Sequence, residues 1–560
     1  MKAELKAFRA ARGAHAGWYL LFAIALLVAI YLRVAQLGDQ VLLDDEWHAI
    51  HKLLHADARD IATHFGLADY SIPLTLYYRM LYLSVGLDEF GMHLPMLLAG
   101  IALVGLGPWL MRRHASVGTL ASWSALMAIS PFMIYHSRTA RPYAVTTLLV
   151  FVALIAFREW WLRRQPRWAA AYLACTLLAG WLHLITLPFT LLPFIFFGIA
   201  ALVRLRAADR QPAWRAIARL CALGAITASL LAALLLPPFL NDWGALAGKA
   251  GSGSVSLDTL YRSLLLGFGV SDAVPLITLV VLATLGVATW WRRDAGFVGY
   301  IGFVVLGTGA AIAASHAAWL QHPGTYARYM QPALPFLLLF AAEGLAALAA
   351  RLGHAAQATF AMLVPAALLM IGPIPGYWYA PNQFMLHPYF QFDYDAAHNL
   401  YRTLLPDGPV PDFYRRLAPR PPRSLTLIEA PWSLETDHDP QPLYQRVHRQ
   451  YVKIGLVTPL CGVRDYGEYP PDAGMRLRQF THLSALLQGE QSGDLLVMHF
   501  EPWPAGAPAP PQWPDMAQCV ALTEQALGAP LYRDAQIAVF GISPSGRDVM
   551  RELYASQRMQ

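Results

Sequence analysis

Three short stretches hold residue types able to do chemistry. In LLDDEWHAIHKLLH, Leu42 to His55, the acids Asp44, Asp45 and Glu46 precede His48, His51 and His55. A carboxylate here can act as a general base, and three acids can equally cap the helix that follows. His51 and His55, four apart, share one helix face and could hold a divalent metal, although lone interfacial histidines need none. In HSRTARPYAV, Arg138 and Arg141 stand three apart, a spacing that suits a fork of donors for a phosphate or carboxylate and also suits lipid headgroup anchoring. In ARYMQPALPFLLLF, Arg328 and Tyr329 open an apolar run.

The elements that position these residues belong to a membrane. Of 560 residues, 56% are hydrophobic and 14% charged, against about 25% charged in soluble globular proteins. Mean hydropathy is +0.39. The net charge of +6 is scattered between apolar runs and forms no basic stripe with interleaved aromatics, which argues against nucleic acid.

Requiring about 20 apolar residues per span places eleven spans near 17–36, 94–111, 117–135, 142–162, 168–187, 188–203, 217–238, 273–291, 296–315, 331–350 and 357–375. The sixth follows the fifth through Pro188, which predicts a tight hairpin there. With the N-terminus inside, the inner segments hold Lys2, Lys6, Arg9, Arg12, Arg112, Arg113, Arg158, Arg163 and Arg164 among others. The longer outer loops hold about half as many basic residues. Positive residues are retained in the cytoplasm, so the N-terminus is read as cytoplasmic and the segment after Tyr377 as outside. The first run is read as an uncleaved anchor, because Arg33 ends it and ten further spans follow.

The tail changes character. Proline-rich joints at 419–423 and 501–514 separate the short apolar runs SLTLIEA, GDLLVMHF and AQIAVFGIS, which read as buried strands, and THLSALLQG has helical spacing. The fold class expected is therefore a polytopic α-helical membrane protein with a C-terminal soluble α/β extracytoplasmic domain. Residues 1–376 form the transmembrane domain, with an outer loop over 37–93, and 377–560 the periplasmic domain. Cys461 and Cys519 both fall in the outer domain, where an oxidising compartment permits a disulfide.

The loop over 37–93 is too long for a connector. WHAIHKLLHADARDIATHF has the spacing of a helix lying on the membrane surface. IPLTLYYRMLYLSV is a second apolar helix, short for a span and interrupted by Arg79. Glu343, inside the tenth span near its inner end, calls for pairing or snorkelling.

DDEWH after the first span, the loop DYSIPLTLYYRMLYLSVGLDEFGMHLPMLLAG, then HSRTARPYAVTTLL, and later ARYMQPALPFLLLFAAEGL together resemble the GT-C membrane glycosyltransferases. The nearest in pattern are the bacterial polyprenyl-phosphate-sugar transferases related to protein O-mannosyltransferases and lipid A aminoarabinose transferase. The resemblance covers about 17–350. It implies a GT-C-like membrane domain and a polyprenyl-phosphate-linked sugar donor. It also implies a general base among Asp45, Asp44 and Glu46; the register is open by one residue, and the Asp-Glu pattern favours Asp45. Donor-phosphate contacts fall on Arg138, Arg141, Arg328 and Tyr329, and a substrate cavity on His48, Tyr143 and His93. This chain departs from the pattern at Ile72, before Pro73, where a Pro-Pro pair is usual, and at His93, where an Arg is usual.

Such a transfer needs a base for the incoming hydroxyl and cations for the departing phosphate, and no cofactor. A single displacement inverts the anomeric centre. The resemblance thus implies an inverting glycosyltransferase on the outer face of a bacterial inner membrane, with membrane lipids and an acceptor lipid, protein or glycan as partners and no nucleic acid. The alternative is a transporter or flippase of a lipid-linked or anionic solute using the same arginines. A transporter would more often show internal repeats and charges at span centres, whereas here charge gathers in the outer loops.

Overall fold

The structure is a computed structural model. It describes residues 2–35, 56–66, 70–205, 210–249, 253–270, 273–371, 410–431, 447–457, 480–489, 493–501 and 513–555, with scattered positions between them, among them Leu37, Leu42, Glu46, Ile50, Leu53, Gly251, Tyr444, Leu460, Cys461, Gly474, Arg476 and Leu477. The chain divides into two compact units: Met1–Leu37, Ala56–Tyr77 and His93–Pro375 in one, and Gly38–His55, Tyr78–Met92 and Gly376–Gln560 in the other.

The helices in chain order are α1 (Lys2–Val34), α2 (Ala58–Thr63), α3 (Ile72–Ser84), α4 (Glu89–Met111), α5 (Val117–Ile129), α6 (Pro131–Ser137), α7 (Tyr143–Arg163), α8 (Pro166–Leu182), α9 (Leu187–Leu205), α10 (Arg210–Asn241), α11 (Trp243–Gly248), α12 (Leu257–Phe268), α13 (Ala273–Ala314), α14 (Pro323–Met330), α15 (Leu334–Ala349) and α16 (His354–Ile371). Among the described residues, seven helical stretches are long and apolar enough to cross a membrane, or eight if the bent pair α5 and α6, which meet at 63°, is one span.

The eleven expected segments differ from that count for physical reasons. α13 has 42 residues, about 63 Å at 1.5 Å per residue and twice the hydrocarbon thickness. At Asp294 the backbone leaves helical geometry (φ −153, ψ 73). The Asp294 carboxylate accepts from the Phe297 N–H at 2.9 Å and caps a second helix, so the expected spans 273–291 and 296–315 are present as two helices meeting at a kink, which length and composition alone count as one. α8 has 17 residues, and the apolar part of α16 runs only over Ala356–Ile371; both are helices of marginal length. In place of a hairpin through Pro188, the chain between α8 and α9 passes through an extended His183 (φ −162, ψ 114) and a 3₁₀ turn at Leu184–Thr186.

Lipid-facing side chains remain uncovered on this unit, Leu27, Leu306 and Val274 among them. α13 and α15 pack backbone to backbone: a Cβ on Gly286 would lie 1.7 Å from the Phe340 carbonyl oxygen, and one on Gly344 2.0 Å from that of Leu282. Small residues at a membrane helix crossing permit that approach. Buried Glu343 is paired, with Arg293 at 2.7 Å and the Thr119 hydroxyl at 2.8 Å. Nearby, Arg158 bridges to Asp294 and His114 Nε2 meets Glu159 at 2.9 Å.

In the first outer loop, the expected surface helix is interrupted at Ala56 and Asp57. The Asp57 carboxylate accepts from the N–H groups of Arg59 and Asp60 at 2.7 and 2.8 Å and starts α2 afresh. The second apolar helix is present as α3.

The other unit centres on a six-stranded sheet: β1 (Thr426–Ala430), β2 (Tyr451–Leu456), β3 (Phe480–His482), β4 (Leu495–His499), β5 (Tyr532–Arg533) and β6 (Ile537–Gly541), in the order β3-β2-β1-β4-β6-β5. β1 runs parallel to β2 and β4, and β2 to β3, while β6 is antiparallel to β4 and β5. The helices α17 (Asp412–Leu417), α18 (Leu483–Leu487), α19 (Met516–Leu527) and α20 (Pro544–Tyr554) complete it. Ile428, Ala430, Leu496, Met498, Ala538 and Phe540 join one core. Leu427, Leu495, Val497, Ile537 and Val539 join another with Phe413, Tyr414 and Tyr444. Strands buried on both faces read as unbroken apolar runs, which is why SLTLIEA, GDLLVMHF and AQIAVFGIS were visible as strands. Cys461 and Cys519 are joined as a disulfide.

This unit also takes in part of the first outer loop. Leu42, Ile50, Leu53 and Leu87 are fully buried. The Leu87 N–H donates to the Gly474 carbonyl at 2.7 Å, and the Arg476 N–H to the Leu87 carbonyl at 2.8 Å. The compact units therefore do not follow chain order.

Candidate functional site

The site begins at the break between α5 and α6. Pro131 has no N–H, so the Met127 carbonyl four residues earlier loses its helical donor. In hydrocarbon no water replaces it. Arg33, fully buried near the end of α1, supplies the replacement: Nη2 donates to the Met127 carbonyl at 3.1 Å, Nη1 to those of Ala128 at 3.1 Å and Ala29 at 3.2 Å, and Nε to the Ser137 hydroxyl at 3.2 Å.

Arg138 returns the arrangement. Its Nη1 donates to the carbonyls of Leu32, Arg33 and Ala35 at 3.3, 3.1 and 2.7 Å, which closes the C-terminal end of α1. A helix end away from water needs its carbonyls capped, and Nη1 of Arg138 does this beside the phosphate fork expected of Arg138 with Arg141. Arg141 is half-buried in the following turn, its N–H on the Thr139 carbonyl at 2.7 Å.

A ring of side chains from four elements lies in this same unit. Tyr143 opens α7, Arg328 and Tyr329 stand in α14, His136 in α6, and His183 at the break after α8. The Arg328 guanidinium lies 5.6 Å from the ring centroids of both Tyr143 and Tyr329, within cation–π range of each. His183 is 5.5 Å from Tyr143 and 5.5 Å from Tyr329. His136 is 5.0 Å from Tyr143, 4.6 Å from Phe132 and 4.5 Å from Tyr135.

His136 is 3% exposed, and neither ring nitrogen has a hydrogen-bond partner among the described residues. A neutral imidazole offers one donor and one acceptor, and burying both unmet costs free energy. A cation, two imidazoles and two phenol rings close together suit an oxyanion with a neighbouring hydroxyl.

The structure thus brings together Tyr143, Arg328 and Tyr329. It adds His136 and His183, which sequence reading passed over; His136 stood two residues before Arg138 in a stretch already singled out, and His183 was a lone polar residue in an apolar run. Glu46 is buried, 1% exposed, in the α/β unit, and His93 is fully buried in α4. Asp44, Asp45, His48, His51 and His55 lie outside the described residues. Among the described residues no group of three or more histidines, cysteines or acids is placed to hold a metal.

No family model matches the chain, and no curated protein does. Among solved structures it is similar to the crystal structure of ArnT from Cupriavidus metallidurans in the apo state, at 13% identity and a TM-score of 0.48, over 95% of this chain and 99% of that one. It is similar also to ArnT from the same organism bound to undecaprenyl phosphate, at 12% identity and a TM-score of 0.45, over the same shares. At TM-scores below 0.5, neither likeness assigns a residue or an activity to this chain.

Proposed function

We propose that the chain is an inverting glycosyltransferase of the GT-C type that moves a sugar from a polyprenyl-phosphate donor to an acceptor hydroxyl or phosphate on the outer face of the membrane. The observation that carries this reading is Arg328 bracketed by Tyr143 and Tyr329, beside the unmet nitrogens of His136. That group fits a phosphate that gains charge as it leaves. The order of the DDEWH, HSRTARPY and ARYMQP motifs along the chain supports the same reading.

In this mechanism Asp45, with Asp44 and Glu46 as its neighbours, accepts the acceptor's hydroxyl proton. The acceptor oxygen attacks the anomeric carbon, and the bond from that carbon to the phosphate oxygen breaks. The electron pair stays on the lipid phosphate, where Arg328 and Arg141 balance the charge and His136 donates a hydrogen bond. Preorganised donors aimed at developing charge supply the largest part of such catalysis. Arg138 holds the C-terminal end of α1.

The test is sugar transfer from a polyprenyl-phosphate sugar in membranes carrying the wild-type chain, Asp45→Ala, Asp44→Ala or Arg328→Ala. Loss of turnover in one aspartate variant and in Arg328→Ala is expected. Full activity in both aspartate variants would defeat the assignment of the base.

A further inference from the structure

At the end of the membrane unit that the charge bias reads as cytoplasmic, like charges gather around the start of α10. That helix begins on Arg210 and carries Arg215 and Arg219 in its next turns. Over 204–219 the sequence has five arginines and one acid, Asp209. A helix N-terminus is the positive end of the backbone dipole and favours acids, yet the first turn of α10 has none. Arg215 and Arg219 are four apart on one face of the helix, where like charges repel. Arg219 Nε donates to the Arg215 carbonyl at 3.0 Å, which holds its guanidinium back along α10.

A third arginine joins them from another segment. Arg164 closes the C-terminal end of α7 in the left-handed region (φ 58), its N–H on the Trp160 carbonyl at 2.8 Å. The charges of Arg164 and Arg215 both bear on Arg219. The acids of the neighbouring helices are already engaged: Glu159 with Arg163 and His114, Asp294 with Arg158, and Glu343 with Arg293. Among the described residues Arg164, Arg215 and Arg219 have no ion pair. Arg164 and Arg215 are exposed and Arg219 half-buried, so a ligand meets all three at the surface.

Two tryptophans accompany the group. Trp214, 61% exposed, precedes Arg215. Trp168 stands in the first turn of α8, and its indole N–H is buried with no partner among the described residues. α8 and α10 pack together, and a Cβ on Gly180 would lie 3.3 Å from the Leu231 side chain. Trp168 and Arg219 each stand twelve residues before that contact, about 18 Å back along their own helices, and so at one level. Tryptophan rings favour the headgroup layer of a bilayer.

Guanidinium forks match phosphate oxygens, and an indole N–H adds one more donor. Further along α10, Ile226 and Leu230 are uncovered. Inorganic phosphate would use the arginines alone. A phospholipid uses both features, its phosphate among the arginines and its acyl chains along the apolar side chains. A net negative headgroup offsets the repulsion among three cations, whereas a zwitterionic one brings a cation of its own.

We propose that Arg164, Arg215 and Arg219, with the Trp168 indole N–H, bind the headgroup phosphate of an anionic phospholipid. The inference does not rest on the transfer reading, since Tyr143 opens α7 and Arg164 follows its other end, about 30 Å away.

The experiment titrates the purified full chain, in a non-ionic detergent, with phosphatidylglycerol, diphosphatidylglycerol and phosphatidylcholine, and counts bound lipid by native mass spectrometry. Saturable binding of an anionic lipid is expected, about tenfold or more tighter than that of phosphatidylcholine. Arg164→Gln and Arg215→Gln each weaken it about fivefold, and the triple variant with Arg219→Gln about a hundredfold. The two single variants change exposed positions and carry the test if the triple variant fails to fold. Arg112→Gln with Arg113→Gln, exposed arginines between α4 and α5, leaves binding unchanged, which separates a site from general surface charge. Equal binding of phosphatidylcholine, wild-type binding in both single variants, an equal loss in the Arg112 and Arg113 variant, or displacement of the lipid by an equal concentration of inorganic phosphate would each overturn the proposal.

Discussion

Arg138 Nη1 donates to the carbonyl of Arg33 at 3.1 Å, and each of these arginines closes a helix end belonging to the other's segment. Arg33 rides on α1 and caps the carbonyls freed at Pro131; Arg138 follows α6 and caps the end of α1. The acceptors of Arg33 are all neutral oxygens, so its charge is balanced by aligned backbone dipoles. The bend that sets His136 beside Tyr143 depends on this exchange.

Arg33→Leu should therefore unfold or loosen the membrane unit without touching the proposed phosphate contacts. Each carbonyl left unmet costs about 1–3 kcal/mol, and two of them lie at the break. A fall in the thermal midpoint of detergent-solubilised protein, seen by size-exclusion after heating, is expected. Arg33→Lys should recover little of it, because one ammonium cannot reach four acceptors. An unchanged midpoint in Arg33→Leu would show that the bend holds without its cap.

Arg328 and His136 are predicted to behave differently from Arg33. Arg328 lies against the rings of Tyr143 and Tyr329, and His136 against those of Phe132, Tyr135 and Tyr143, so Arg328→Ala and His136→Phe should fold normally and lose transfer. A hydrogen bond to a charged group is worth about 1.5–3 kcal/mol, or about ten- to a hundredfold in transfer efficiency. Arg328→Lys should keep part of the activity, and His136→Gln more than His136→Phe. Transfer by His136→Phe at the wild-type rate would remove His136 from the site.

Much of the membrane unit was legible in the sequence, since a span needs a long apolar run and nothing hides it. The strands were legible too, because β1, β4 and β6 are buried on both faces and read as apolar stretches. The joining of Leu87 to Gly474 was not, as a backbone bridge between distant segments leaves no period in either. Tyr143, Arg328 and Tyr329 were readable as motif residues. His136 and His183 were not, because a lone histidine in an apolar run acquires its meaning from neighbours on other helices. The role of Arg138 depends on a bend at Pro131, and residue spacing alone could not tell a cap from a fork.

His448 gives the α/β unit a predictable response to acid. Burial pushes its imidazole down from the usual value to about 3, with Tyr414, Gln450 and, beyond Tyr414, Glu429 and His499 around it. The unfolded chain titrates near pH 6.5 and so binds the proton more readily between about pH 3 and 6.5. Stability from a neutral His448 is thus fully present above that window and is lost as pH falls through it, by up to about 1.4 kcal/mol per pH unit. Melting of the full chain followed by tyrosine and tryptophan fluorescence should show a shallower acid decline in His448→Phe than in wild type over this range. Parallel curves would mean that His448 is protonated in the folded state.

The crossing of α13 and α15 offers a test with a control on the same helix. A Cβ added at Gly286 would meet the Phe340 carbonyl oxygen at 1.7 Å and the Gly344 nitrogen at 2.9 Å, both backbone, so no side chain can rotate away. The helices would have to separate, breaking contacts along a tightly packed interface. At Gly302, on the far arm of α13, an added Cβ meets nothing within 4 Å. Gly302→Ala should be neutral or stabilise by up to about 1 kcal/mol through helix propensity. Gly286→Ala gains the same propensity but must push the two backbones apart, at a cost of about 1–3 kcal/mol typical of overpacking. The thermal midpoint of Gly286→Ala should fall below wild type while that of Gly302→Ala does not. Equal midpoints would mean that α13 and α15 can separate there without cost.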